Sequence, residues 1–422
     1  MKIERNAMNR HMLNRTEVAC FLGGYMKNSL NLTLLAAIFF FLTACQSANK
    51  LQSYDIGSHT NKFLDEKFKG YKEINVETED EIFALSKEMI IMAKSISLER
   101  DTRKKAHKLL QHFFSPENIN LAYKSGANVI AAKAFKNKEA NCLSLTIMAY
   151  AISQEAKLDV AFQRVEVPEY WVRNGRTNML TGHINLTVLE ESFPDKRVLW
   201  QRTGIEIDFD PFVNKKSFPK RKIYKNNVLA MFYNNKAATA MVNRDYVSAY
   251  AYLKKATSVD PYFSSAWGNL GILYRFKGFQ QSAINTYRYA IYLNKNNLTA
   301  MANLSMLLHI NGLNEEAKQL DSHIMHKRAS NPYYYALLAD ERLYQGAYEQ
   351  AISHYKKAIK LNDNIHEFYF GLAKVYYQLN EIKKAENYVR KAIAKNRSPQ
   401  LDKQYIAKLN ILKQIDNNTK LP

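Results

Sequence analysis

The sequence predicts a multidomain chain: an α+β domain followed by an all-α solenoid of stacked helix pairs. Three observations lead there. Alanine recurs at Ala249, Ala283, Ala317, Ala351 and Ala385, every thirty-four residues, and a second column follows at Ala256, Ala290, Ile324, Ala358 and Ala392. A repeat of that length is one pair of antiparallel helices, with small residues where the helices cross closely. Upstream, helically patterned segments give way to runs of β-branched and aromatic residues, an α+β order. A chain of 422 residues has room for both parts.

Composition narrows the class. At 47% hydrophobic and 12% aromatic residues the chain has the material for packed cores and is not a disordered polymer. Its formal charge of +21 suggests an anionic partner, whether nucleic acid, a membrane surface or an acidic protein. Lys and Arg are spread along the whole chain, so charge alone does not choose among these.

The N-terminal segment, 1–44, reads as a secretory signal. Lys27 precedes an apolar run from Leu32 to Ala44, broken only by Thr33 and Thr43. That run is too short to span a bilayer comfortably, which takes about 20 residues, and has the form of a signal h-region. Residues 1–25 fit poorly before so compact a signal, and Met26 is the expected start. The run ends Leu42-Thr43-Ala44-Cys45, which resembles the lipobox of bacterial lipoproteins. The resemblance implies cleavage before Cys45, acylation of that cysteine, and a stable anchor from several acyl chains. Gln46 follows Cys45; without Asp at that place the resemblance implies the outer membrane, facing the periplasm. Of the cysteines Cys20, Cys45 and Cys142, the last then has no intramolecular partner. A lone thiol in an oxidising compartment is a liability unless buried or used.

Residues 45–75 are polar and weakly patterned and read as a tether. The α+β domain is expected over 76–218. Thr78-Glu79-Asp80-Glu81 has capping-box spacing, and Ile82, Leu85, Met89 and Met92 recur helically within the stretch Thr78 to Lys108, which Ser115-Pro116-Glu117 closes. Further helices are predicted around Asn128 to Phe135 and from Cys142 to about Ala156. Strands are predicted at Val160 to Val167, Ile184 to Glu190 and Val198 to Phe209, with Pro168-Glu169-Tyr170-Trp171 and a polar loop at Asn174-Gly175 between the first two. Lys215 to Lys225 is a basic connector, with Lys215, Lys216, Lys220, Arg221, Lys222 and Lys225 around Pro219, and 219–229 reads as a solvated linker between the domains; pressed on anionic headgroups, each cation would contribute roughly 1 kcal/mol.

Five repeats are expected over 230–397, and a capping helix from Ile406 to Ile415 within 398–422. The second repeat shows Trp267, Leu270, Gly271, Tyr274, Gly278, Ala283, Tyr287 and Ala290, which match the tetratricopeptide pattern almost in full. The third departs most, with Asp321 where its neighbours have Tyr287 and Tyr355, and is expected to be distorted or to carry a polar contact. Stacked repeats leave a surface that holds another protein, so a protein partner is expected in the repeat groove.

Chemistry is expected upstream. Cys142 stands at the first turn of its helix after Asn141, a good N-cap, where unpaired N–H groups and the positive dipole end favour thiolate. A nucleophilic thiolate needs a base and a group that orients the base. His183 opens the second strand; Asp208 and Asp210 lie at the end of the third, two residues apart and on one side of it. Trp171 either lines an acyl-binding slot or fills core. No Gly-rich phosphate loop, metal-ligand cluster or nucleic-acid motif is present, so no cofactor, metal or nucleic acid is expected.

The words Asn141-Cys142-Leu143-Ser144-Leu145, Val165-Glu166-Val167-Pro168-Glu169-Tyr170-Trp171, Gly182-His183-Ile184-Asn185 and Ile207-Asp208-Phe209 resemble the transglutaminase-like superfamily. The branch in question precedes tetratricopeptide repeats in bacterial lipoproteins. The resemblance covers about 118–212 and implies a papain-like cysteine protease fold. It also implies Cys142 as nucleophile, His183 as its base, and Asp208 (or Asp210) as orienter. One departure is Ala140, where the family pattern leads one to expect glycine. The implied reaction is acyl transfer through a cysteine thioester, with water or an amine as acceptor. The other reading is a catalytically inactive adaptor that binds proteins at the cell envelope.

Overall fold

Thr78 opens the first α-helix, α1 (Glu79–Phe83), through a reciprocal pair of bonds. The Glu81 amide donates to Thr78 Oγ1 at 3.3 Å and the Thr78 amide to the Glu81 carboxylate at 2.7 Å. This computed structural model describes residues 62–115, 119, 121–124, 126–174, 177–189, 204–209, 218–396 and 399–418. Ser86 and Asp101 cap two more helices, α2 (Lys87–Ser97) and α3 (Thr102–Phe114). The helical stretch from Thr78 to Lys108 is therefore three helices, because two further N-cap residues interrupt it.

A short parallel pair, β1 (Ala122–Tyr123) and β2 (Glu139–Ala140), brackets α4 (Ala131–Asn137) and leads directly into α5 (Cys142–Glu155). Eleven residues of α5 are buried, so it is a central helix packed on most sides rather than an amphipathic surface helix. It lies against the long hairpin of β3 (Val160–Asn174) and β4 (Thr177–Leu189). With β5 (Gly204–Ile207) and β6 (Lys220–Ile223) these strands form an antiparallel sheet in the order β5-β4-β3-β6.

Three expectations change here. Pro168 to Trp171, placed between strands by the sequence, lies inside β3; the pairing shifts between Val165 and Tyr170, where Pro168 has no N–H for the ladder. Of the strand expected over Val198 to Phe209, β5 covers Gly204–Ile207, and 198–203 lie outside the described residues. The basic connector at 219–229 is not a solvated linker. Lys220-Arg221-Lys222-Ile223 is β6, paired with Phe162 to Val165, with Ile223 buried and the three cations exposed.

Five helix pairs follow: α6 (Lys225–Val242) with α7 (Tyr246–Val259), α8 (Ser264–Phe276) with α9 (Gln280–Leu293), and α10 (Leu298–Ile310) with α11 (Asn314–Arg328). The last two are α12 (Pro332–Tyr344) with α13 (Tyr348–Leu361) and α14 (His366–Gln378) with α15 (Ile382–Lys395). The five alanines of the first column are fully buried. At the irregular third repeat, Asp321 accepts from Ser305 Oγ at 2.5 Å and meets His309 Nε2 at 2.9 Å, a polar contact in place of a tyrosine. The terminal α16 (Pro399–Asn418) caps the stack through Tyr405, Leu409 and Leu412, whereas Ile406 and Ile411 face outward.

The end of the expected tether is docked rather than free. Phe68 is buried and stacks on Tyr250 at 4.2 Å. Asp65 accepts from Tyr250 Oη at 2.7 Å and pairs with Lys254, while Tyr274 Oη donates to the Lys62 carbonyl at 2.8 Å. Phe63, Leu64, Phe68 and Tyr71 supply apolar surface that a free polar tether would lack.

Gly271 shows how closely the helices approach. A Cβ there would come within 2.6 Å of the Tyr287 ring. Gly271→Ala is expected to cost about 1–3 kcal/mol by overpacking, read from the urea denaturation midpoint. A double-mutant cycle with Tyr287→Leu should show coupling, and strict additivity would mean the ring is not the obstacle.

Candidate active site

Asn141 builds the first part of the site. Its side chain accepts from the Ser144 amide at 2.9 Å, fixing the N-terminus of α5 with Cys142 as its first residue. The loop before α4 is held to the same place: the Asn141 amide donates to the Ala127 carbonyl at 2.9 Å, and the Val129 amide to Ser144 Oγ at 2.9 Å. Ala140 stands in β2 without a left-handed backbone, so nothing at that position demands glycine.

β4 supplies the second part. Cys142 Sγ lies 3.8 Å from the Gly182 carbonyl oxygen, and the next residue is His183. The third part comes from the end of β5. The Leu186–Ile207 pairing carries the chain to Asp208, one residue past the strand. There His183 Nε2–H donates to Asp208 Oδ2 at 2.8 Å. Cys142, His183 and Asp208 are thus brought together, all three nearly inaccessible to solvent.

Electrostatics follow from this packing. Burial disfavours the imidazolium, but the Asp208 hydrogen bond and the Cys142 side chain outweigh it and raise His183 from 6.5 to about 10. With Nε2 committed to Asp208, Nδ1 is the nitrogen left to serve the thiol. Such a set can hold a cysteine nucleophile beside a proton carrier whose orientation is fixed by a carboxylate.

Two further residues escape the sequence reading. Asn185 Nδ2 donates to Asp208 Oδ2 at 3.1 Å and also to Glu206, and Glu206 pairs with Lys220 at 2.5 Å. The signal was period two: Asn185 is two residues from His183, and Glu206 two from Asp208, so each shares a strand side with its neighbour.

The other expected site residues lie elsewhere. Trp171 is directed at the solenoid. The Arg328 guanidinium sits 5.0 Å from its ring centroid and 5.5 Å from that of Tyr334, and the two rings lie 6.5 Å apart. Asp210 and Cys45 lie outside the described residues. Among the described residues no group of His, Cys, Asp and Glu is arranged to hold a metal ion, and no helix is long and apolar enough to cross a membrane.

Comparison with known proteins bears on the solenoid. A family model described as "TPR repeat" matches residues 339–380, and one described as "Tetratricopeptide repeat" matches 366–397. Tetratricopeptide repeats stand near the C-terminus of this chain. The chain is 27% identical over 178 residues to the TPR repeat-containing protein MJ1428 of Methanocaldococcus jannaschii; the match takes in 42% of this chain and a quarter of that protein's length. Among solved structures it is similar to MamA, at 19% identity and a TM-score of 0.24 over 40% of this chain and 91% of MamA. It is also similar to PilF of Pseudomonas aeruginosa, at 18% and 0.28 over 46% and 94%, and to a thermophilic TPR protein of Thermus thermophilus, at 14% and 0.30 over 44% and 99%. Repeats of this kind are protein-interaction modules.

The His183 shift has a defined pH sign. Its folded pKa is above the unfolded value, so the imidazolium–Asp208 contribution to stability is whole below about pH 6.5 and is lost as pH rises through about 10. The stability difference between the native chain and Asp208→Asn, from urea titrations, should be widest near pH 6 and narrow steadily toward pH 10.

Proposed function

We propose that this protein is a cysteine acyl-transfer enzyme, transglutaminase-like in its chemistry, whose tetratricopeptide repeats recruit a protein partner or substrate. The observation that carries the reading is the Cys142–His183–Asp208 constellation: a thiol at a capped helix N-terminus, an imidazole in contact with it, and a carboxylate 2.8 Å behind the imidazole. Three separate elements converge on one point.

The chemistry would run through side chains and backbone without a cofactor. Cys142 thiolate attacks the carbonyl carbon of an amide or ester, and the C–S bond forms as the carbonyl π pair moves to oxygen. The Cys142 backbone N–H at the start of α5 faces that developing charge. The C–N or C–O bond then breaks, and His183 gives its proton to the leaving group. Water or an amine, deprotonated by His183, attacks the thioester and returns the thiol. Asp208 keeps the imidazole oriented and stabilises its charged form throughout.

The N-terminal words support placing the protein at the cell envelope. Acylated Cys45 would tether the chain to the outer membrane, facing the periplasm, with the repeats free to meet a partner there.

A second reading is an adaptor that binds protein without turning it over. It is favoured by the burial of the site: Cys142 is 6% exposed and His183 1%. A substrate would have to open that cover.

The two readings part on thiol reactivity. Under the enzyme reading, iodoacetamide should alkylate Cys142 at neutral pH at least about tenfold faster in the native chain than in His183→Ala, because a base beside the thiol is what a nucleophilic cysteine needs. Equal, slow rates in both would leave the adaptor. Partner capture by Cys142→Ala should equal that of the native chain under either reading.

A further inference from the structure

The hairpin that carries His183 continues past it to a second surface. Trp171 pairs with Leu180 across β3 and β4, three residues from His183 and therefore about 10 Å along the strand. There Trp171 walls a cleft of about 500 Å³ whose other sides come from α10, α11 and α12 of the third and fourth repeats, including Asn303, Met325, Tyr334 and Leu337. The cleft belongs to neither part alone.

Its walls are apolar but its charge is inverted relative to the chain. Asp321 and Glu341 line it. Among the described lining residues the opposing cation is Arg328, and Glu169 already holds that guanidinium with bonds of 2.7 and 3.1 Å. His309 approaches Asp321 at 2.9 Å without lining the cleft. The phenol of Tyr334 feels the set: burial disfavours its ionisation most, Arg328 pulls the other way, and Tyr335, Glu341 and Asp321 add smaller pushes in the direction of burial. In a chain of net +21, this acidic site stands out. Met325, two-thirds exposed at its edge, is apolar surface left in water until something covers it.

We propose that the cleft between Trp171 and the third and fourth repeats docks an extended segment of a protein partner that carries a lysine or arginine flanked by apolar side chains. The cation lies toward Asp321 and Glu341; the flanking side chains cover Met325, Leu337 and the Trp171 edge. Asn303, whose amide donates to the Thr299 carbonyl, keeps its own oxygen for a peptide N–H. The proposal rests on the reading of the repeats as protein-binding and is independent of acyl transfer.

The test uses the full chain and two fluorescein-labelled peptides, Gly-Leu-Lys-Leu-Gly and its counterpart with glutamate at the centre, followed by anisotropy. Two exposed carboxylates should favour the lysine peptide by about tenfold at low salt. Glu341→Lys, a change at an exposed position, should abolish or reverse that preference, and Met325→Ser should weaken both peptides. Cys142→Ala should bind like the native chain, so a failed thiol assay leaves this result standing. Equal affinity for the two peptides, a preference unmoved by Glu341→Lys, or no binding up to about 1 mM would overturn the proposal.

Discussion

Helices in this solenoid stack because their crossing points carry almost no side-chain bulk, and much else depends on that closeness. The alanine columns let each pair close on itself. Where an aromatic ring must be accommodated, glycine gives way to it: Tyr287 fills the space over Gly271 within one repeat, and Tyr355 fills the space over Gly371 between two. Interiors packed to this density transmit displacement instead of absorbing it. The stack is therefore a stiff frame, and whatever is fixed to its side inherits a defined position. Two things are fixed to it here: the segment around Phe68 and the distal half of the β3–β4 hairpin.

The hairpin is the part of the frame on which chemistry could be built. Its near half presents Gly182 and His183 to the thiol; its far half is held by Arg328 and Asn331 through the Glu169 side chain and backbone. A strand pinned at both ends has little freedom to slide in register, and a one-residue slip would turn His183 away from the Asp208 side. Asn185 adds a second brake, since it donates to the same carboxylate oxygen as His183. The geometry of the candidate site is thus set by strand pairing as much as by its own three side chains.

Much of this arrangement is readable in the sequence, and the exceptions have physical causes. The repeats are readable because close helix crossing forces small residues to recur at a fixed period. Cys142 and Asp208 can be picked out because each stands at the end of an element, after a cap or just past a strand, where local signals are strongest; His183, expected to open its strand, lies in the middle of β4, which begins at Thr177. Lys220 to Ile223 resist because edge strands carry charge on their solvent side, so a basic strand and a basic linker share a composition. The docked segment around Phe68 resists because its partners, Tyr250 and Tyr274, are some 180 to 210 residues away in the chain. Trp171 resists for the same reason: its character depends on Arg328, and no local pattern reports that pairing. Asn185 and Glu206 carry a period-two signal that is visible only once their strands are correctly bounded.

The Arg328–Glu169 contact explains how two folds can behave as one body without sharing a sheet. Burying an ion pair costs desolvation that Coulomb attraction alone seldom offsets. Here the guanidinium makes two bonds to one carboxylate and lies over two aromatic faces, Trp171 at 5.0 Å and Tyr334 at 5.5 Å. Arginine suits this because its planar, weakly hydrated cation can stack and bond at once; lysine could do neither as well. Arg328 also ends α11, where the helix dipole favours a positive charge. The contact is specific in direction as well as in partner, since Asn331 fixes the Glu169 carbonyl from the start of the next helix at 2.7 Å. A junction with so many angular constraints holds the hairpin at one orientation to the third and fourth repeats. A segment bound against Trp171 and those repeats would therefore meet the strand of His183 at a fixed distance, whatever the rest of the partner does.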